Sequence, residues 1–277
     1  MITSLRRVLI SQKVIPICAI ILGILFIITI LAPWIAPNDP IAVNLAFKLQ
    51  TPSWEFPLGT DHLGRCNLSR LLYGGRISLG FAMLIFISSL TIGLIIGTFS
   101  GYKGGWVDQV LMRFCDGVMA FPSLILILGL VGIFGPGLSQ VILALMLVQW
   151  VYYARMFRGM VLSLKEQNFI AAAKISGSSQ WKIIKNHIVP NVLPPLVVMG
   201  TLEMGWAIMD ISAMSFLGLG VQPPTPEWGA MIHEGKSYIR TNPELMLYPG
   251  LMIMLVIVTF NLLGEALSER YGVKRRF

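Results

Sequence analysis

Residues 169–190 read FIAAAKISGSSQWKIIKNHIVP, a basic stretch set between two long apolar runs. Phe169, Ala172, Ala173, Ser176 and Gly177 recur at offsets that place them on one stripe of a helix. Three of the five are Ala or Gly, so a second surface can approach the backbone there. Gly177, followed by Ser178 and Ser179, predicts a break, because glycine tolerates the positive φ that ends a helix. A second short helix is expected with Trp181, Ile184 and Ile188 on one side, and Pro190 is expected to block it and open the next apolar run. Lys174, Lys182, Lys185 and His187 make the remainder basic. Such a pair of helices suits a docking element on a membrane face, or a basic amphipathic helix lying on anionic lipid.

Composition settles the solvent. The chain has 277 residues, of which 55% are hydrophobic and only 12% charged, with a mean hydropathy of +0.75. A soluble domain carries roughly 25% charged residues, so this is an integral membrane protein. The net charge of +8 needs no nucleic-acid partner once the positions of the basic residues are considered. Cys18, Cys66 and Cys115 lie too far apart to suggest a disulfide framework or a zinc site.

Working outward from the opening stretch, the apolar runs define six spans. Residues 1–13 form a basic N-terminus, and 14–36 a first span long enough for a ~30 Å hydrocarbon core. Ala32-Pro33-Trp34 is a poor cleavage site, so this span is read as uncleaved. A polar loop rich in Pro, Trp and Gly covers 37–76, and five further helices occupy 77–264. Within that core, the uncharged stretch 117–154 is divided into two spans by Gly135-Pro136-Gly137. The opening segment belongs to a loop over 159–190, a second polar loop covers 215–244, and a basic tail covers 265–277. Fifteen of the 21 Lys and Arg residues fall on the side of the termini and of the 159–190 loop, including Arg6, Arg7, Lys274, Arg275 and Arg276. By the positive-inside rule that side is cytoplasmic.

The opening segment resembles the EAA loop of ABC-importer permeases, which runs Glu-Ala-Ala, three residues, Gly, nine residues, Ile-x-Leu-Pro. Ala172, Ala173, Gly177 and Pro190 match at the family's spacing, while Ala171, His187 and Val189 replace the Glu, Ile and Leu. The resemblance implies that the loop enters a cleft on an ATPase subunit, with Ala172, Ala173, Lys174, Gly177, Trp181 and Pro190 as docking residues. Leu58-Gly-Thr-Asp61-His-Leu-Gly-Arg65, continuing through Ser69-Arg70 to Tyr73-Gly74, resembles the signature of the peptide and nickel subfamily. Its outer-loop residues are Gly59, Thr60, Asp61, Gly64 and Arg65. Ser215 to Gly229, SFLGLGVQPPTPEWG, is similar to the same subfamily's last outer loop.

The resemblance implies an all-α membrane protein with six transmembrane helices and both termini cytoplasmic, the type I importer permease fold. It implies half of a pore, completed by a homologous second permease. Two ATP-binding subunits would carry the ATP and Mg, and an extracytoplasmic solute-binding protein would deliver cargo. The chain itself is expected to bind no cofactor, no resident metal and no nucleic acid, and to sit as a multi-pass protein in lipid of the cell membrane. The stretch from Trp150 to Arg155, Ser176-Gly177, Glu203 and the short N-terminus resemble nickel-type permeases somewhat more than dipeptide ones.

Chemistry of the chain's own is scarce. No nucleotide-cradling G-x-x-x-x-G-K-[ST] loop, H-E-x-x-H motif or G-x-S-x-G elbow occurs. Ser179-Gln-Trp-Lys182 fits S-x-x-K without companion motifs, and His62, His187 and His233 lie in three different loops. A self-contained secondary transporter would show inverted repeats, and none is evident. Glu203 and Asp210, seven residues apart inside a span, share a helix face. Two roles stay open for them: a cation-attracting translocation path, or pairing with polar groups on neighbouring helices.

Overall fold

The computed structural model describes residues 2–270, with side chains described from Lys13 onward. The N-terminal arginines Arg6 and Arg7, as side chains, and the basic residues Lys274, Arg275 and Arg276 lie outside the described residues. The first apolar run forms α1 (Ile2–Ile30), continued by the short α2 (Ala32–Ile35), where Pro33 sits in the first turn and needs no N–H partner.

After the outer loop comes α3 (Asn67–Lys103), whose 37 residues reach about 55 Å at 1.5 Å per residue. It starts at Asn67, so the last ten residues of the outer stretch 37–76 are helical and carry buried Ser69 and Arg70. Then follow α4 (Gly105–Met119) and α5 (Ser123–Phe134), bent against each other by 88°. Pro122 explains the break: it offers no N–H to extend α4, and it disfavours the helical region for Phe121. The turn at Gly135-Pro136-Gly137 is present, with positive φ at both glycines, and leads into α6 (Leu138–Lys165). The span before that turn, however, is only 12 residues, about 18 Å, too short to cross a ~30 Å hydrocarbon core alone.

The cytoplasmic loop contains α7 (Asn168–Ile175) and α8 (Gln180–Ile183), separated by Gly177 at φ 74°. Pro190 does not end the second of these. The helix runs on through a π turn over Ile184–Ile188 into α9 (Val189–Phe216). A widened turn accommodates the missing N–H and the ring that would press on the preceding turn's carbonyl. Asn191 Nδ2 of α9 donates back to His187 O of that turn at 2.6 Å. On the outer side, α10 (Trp228–Gly235) precedes α11 (Glu244–Arg270). Among the described residues, five helices are long and apolar enough to cross a membrane, and the bent pair α4–α5, counted as one broken span, brings the number to six.

In lipid, helices associate through close packing rather than through a hydrophobic drive, and small residues permit it. Gly93, Gly97 and Gly101 of α3 lie against α6, where an added Cβ would press on Tyr153, on Phe157 and on Arg158 O in turn. A large cluster around Leu79, Ile85, Leu145, Ile208, Val256 and Trp228 joins α3, α6, α9, α10 and α11. A smaller cluster, Tyr153, Phe157, Val161, Ile170, Ile183, Ile188 and Val192, ties the cytoplasmic loop to α6.

Candidate functional site

A cavity of about 520 Å³ opens between α5, α6 and α9, lined by Phe121, Ile127, Gln149, Tyr152, Tyr153, Glu203, Trp206 and Asp210 among others. Both sequence-selected acids therefore meet one space. The structure pairs each with a neutral donor on antiparallel α6: Tyr153 Oη donates to Glu203 Oε2 at 3.4 Å, and Gln149 Nε2 to Asp210 Oδ2 at 2.9 Å. Gln149 and Tyr153 are four residues apart on α6, so they fall on one face. Glu203 and Asp210 stand about 10 Å apart along α9, too far to chelate one bare ion together. Trp206, 60% exposed, lies between them in sequence and borders the same cavity. Neither donor was singled out from the sequence, because an uncharged Gln and Tyr in an apolar run give no signal until the facing helix is known.

The outer-loop motif folds into a cap. Thr60 Oγ1 donates to Phe47 O and accepts from Gln50 N, which closes the chain before α3 upon itself. Gly59 and Gly64 have φ of 68° and 75°, and a Cβ at either would run into the carbonyl oxygens of Gln50 and Asn44. Asp61 Oδ1 accepts from Leu63 N and Arg65 N, and Oδ2 accepts from Arg65 Nε at 2.6 Å. Arg65 and Arg70 then converge on Glu234 Oε2 of the second outer loop at 2.5 and 2.8 Å. Both guanidinium side chains are 1% exposed. Asp61, His62 and Glu234 bring three potential ligand atoms within 4.8 Å of one another. Two guanidinium groups already neutralise those carboxylates, so a divalent cation gains little there. His62 stacks on Tyr238, and burial holds its imidazole below the ordinary histidine range against the opposing pull of Asp61 and Glu234.

Glu227, fully buried, is the residue that sequence reasoning passed over. Its Oε2 caps α10 at Ala230 N, and its Oε1 accepts from Ser78 Oγ at 2.8 Å and Ser212 Oγ at 3.5 Å. Trp228 Nε1 donates to Leu71 O. The second outer loop is thereby pinned to α3 and α9.

The cytoplasmic loop presents its motif outward. Ala172, Lys174, Gly177, Trp181 and Pro190 are exposed and Ala173 is half-buried. Ile175 and Trp181, 88% and 77% exposed, flank the Gly177 bend, while Ile170, Ile183 and Ile188 hold the loop to the bundle. The expected apolar stripe is corrected in one respect: Ile183 replaces Trp181 on the buried side, and Trp181 points away from it.

Comparison with known proteins agrees with this geometry. Residues 93–273 match the family model "Binding-protein-dependent transport system inner membrane component", and residues 4–52 match "N-terminal TM domain of oligopeptide transport permease C". The nickel transport system permease protein NikC of Escherichia coli (strain K12) is 43% identical over 90% of each chain. The dipeptide transport system permease protein DppC of Alkalihalophilus pseudofirmus is 38% identical over 93% of this chain and 84% of its own. A solved structure of the MetNI methionine ABC transporter, in inward-facing form, has the same fold at a TM-score of 0.56 and 19% identity, over 73% of this chain and 95% of that one. The five or six apolar spans and these matches place the chain in the binding-protein-dependent inner membrane component family, as a multi-pass ABC-importer permease and a transport component rather than an enzyme.

Proposed function

We propose that this permease forms one half of the import path for nickel or a metal–chelate complex. The observation that carries this reading is the cavity holding Glu203 and Asp210, each met by a neutral donor and neither by a basic side chain in the hydrogen bonds it makes. Carboxylates inside a span face a protein interior or a water-filled path, and here they meet a space large enough for a small complex. Their separation suits a cargo that retains its own ligand shell, or one that passes from one carboxylate to the next. A homologous second permease closes the open side of the cavity. One of two ATPase subunits carrying ATP and Mg docks on the 159–190 loop, the other on the second permease, and a solute-binding protein delivers cargo to the outer cap. Identity to nickel and dipeptide permeases is comparable, which supports di- or oligopeptide import by the same mechanism as a second reading.

The test replaces Glu203 by Gln and Asp210 by Asn and measures uptake of Ni²⁺ and of a dipeptide beside the amount of intact complex. Loss of Ni²⁺ uptake of about tenfold, the effect of 1.4 kcal/mol, with normal assembly supports the cation path. Equal loss of uptake and assembly makes the acids structural, and selective loss of dipeptide uptake favours the second reading.

A further inference from the structure

We infer that the inner half of α6 is a rigid arm linking the docking loop to the cavity wall, with Asp108–Arg158 and Asp116–Arg155 as positioning pairs that make α4 move with it. The inference rests on the docking and cavity assignments proposed above. One side of the arm carries Phe157 and Val161, which abut Gly97 and Gly101 of α3 and are fully buried in the same cluster as Ile170, Ile183 and Ile188, the residues that anchor the docking loop. A neighbouring face carries Arg155 and Arg158, three residues apart, which reach Asp116 and Asp108, eight residues apart on α4. Both spacings keep the groups on one helix face, so both pairs act across one interface.

The Arg158 pair is two-pronged: Nε donates to Asp108 Oδ1 at 2.5 Å and Nη2 to Oδ2 at 2.6 Å, a geometry that fixes orientation as well as distance. Ser100 Oγ of α3 also donates to Asp108 Oδ1. The opposite face of α4 exposes Trp106 and Val110, while Phe114 stacks on Trp150 of α6 and Cys115 is buried with Val151 and Ala154, so its internal attachments lie on the α6 and α3 side. The C-terminal end of α4 leads through Val118 and Met119 to Phe121, all three of which line the cavity beside Glu203 and Asp210. Close-packed interiors transmit displacement with little compression. A shift of the docking loop therefore tilts α4 and moves the cavity wall at the 88° bend.

A purely structural role predicts something different. Arg155 and Asp116 are 54% and 46% exposed, and such a pair adds little stability. Losing it should leave folding intact, with α4 still packed on α6 through Cys115, Val151 and Ala154, and weaken only the orientation that the pair fixes. The experiment uses the assembled importer in proteoliposomes, with Phe121→Cys as a reporter; the native Cys18, Cys66 and Cys115 are all buried. Maleimide labelling is compared with and without a trapped ATP analogue, alongside ATP hydrolysis. In the parent, nucleotide should change the labelling rate by about fivefold or more, the lower end of a typical coupling between sites. Arg155→Gln should shrink that change and Arg158→Gln shrink it further, to less than half of the parent's, with the ATPases still bound and hydrolysing. The exchange Arg155→Asp with Asp116→Arg should restore it. An unchanged nucleotide response in Arg155→Gln and Arg158→Gln overturns the inference, as does a parent whose labelling ignores nucleotide although uptake is normal. If Arg158→Gln fails to assemble, Arg155→Gln and its exchange decide alone. Failure of the underlying docking assignment shows separately, as full uptake and ATPase binding by Gly177→Leu.

Discussion

The outer cap and the docking loop both turn on glycines with positive φ, yet each buries what the other exposes. In the cap, the motif residues Thr60, Asp61 and Arg65 are buried, and their polar atoms are consumed inside the chain. In the loop, all the motif residues but the half-buried Ala173 are exposed, and Ile170, Ile183 and Ile188 do the anchoring. At Gly64 a side chain would meet the backbone of Asn44; at Gly177 it would meet nothing within 4 Å. Motif residues that the chain uses up internally are structural, and motif residues that it leaves unused are the ones that the proposed ATPase contact would take up.

That contrast breaks first at Arg65. Its guanidinium joins Asp61 to Glu234, 169 residues away, in a site where water is excluded. Arg65→Ala leaves both carboxylates short of a partner, and breaking a buried pair from one side costs about 3–5 kcal/mol. Against the total of about 5–15 kcal/mol typical of a domain, this should sharply reduce the folded permease recovered from membranes. Size-exclusion profiles and thermal melting in detergent measure it. Normal yield and melting would mean that the cap motif is kept for a partner after all.

Gly177→Leu should behave in the opposite way. The positive φ costs a leucine about 1–2 kcal/mol locally, but the added side chain meets no other part of the chain. The permease should reach the membrane at near-normal levels, copurify with less ATPase and lose uptake. Overpacking a fitted contact adds about 1–3 kcal/mol, so binding should weaken by roughly one to three powers of ten. Retained ATPase with full uptake would make the segment a lipid-surface helix.

Much of this organisation is legible from residues alone, for definable reasons. Gly177 is legible because a single residue dictates a backbone angle. The spans are legible because lipid demands long apolar runs. Pro190 misleads, since a π turn absorbs it and the helix continues through the site of the expected stop. The 88° bend is hidden because α4 and α5 look like a charged gap and an apolar run until Pro122 is read as a break. The donors Gln149 and Tyr153, and the contact of Arg70 with Glu234, depend on pairing between distant segments, which no local pattern encodes.

The finest test of the comparison lies between two neighbours on α7. Lys174 and Ile175 are both exposed, and sequence reasoning named only the lysine. An exposed charge gains little from any one partner, under about 1 kcal/mol, because water and salt screen it. An apolar side chain that leaves water at an interface gains more: at roughly 25 cal/mol per Å², full burial of an isoleucine is worth about 1.5–3 kcal/mol. Ile175, 88% exposed, has nearly all of that burial still to make. Ile175→Ala should therefore weaken ATPase binding by about tenfold or more and leave the melting temperature of the isolated permease unchanged. Lys174→Gln should change binding by less than about fivefold, and that small effect should fade as salt rises. Pull-down titrations of the ATPase at two salt concentrations measure both variants. A larger, salt-sensitive loss from Lys174→Gln than from Ile175→Ala would mean that the loop docks by charge, and that its exposed isoleucine and tryptophan serve the lipid surface instead.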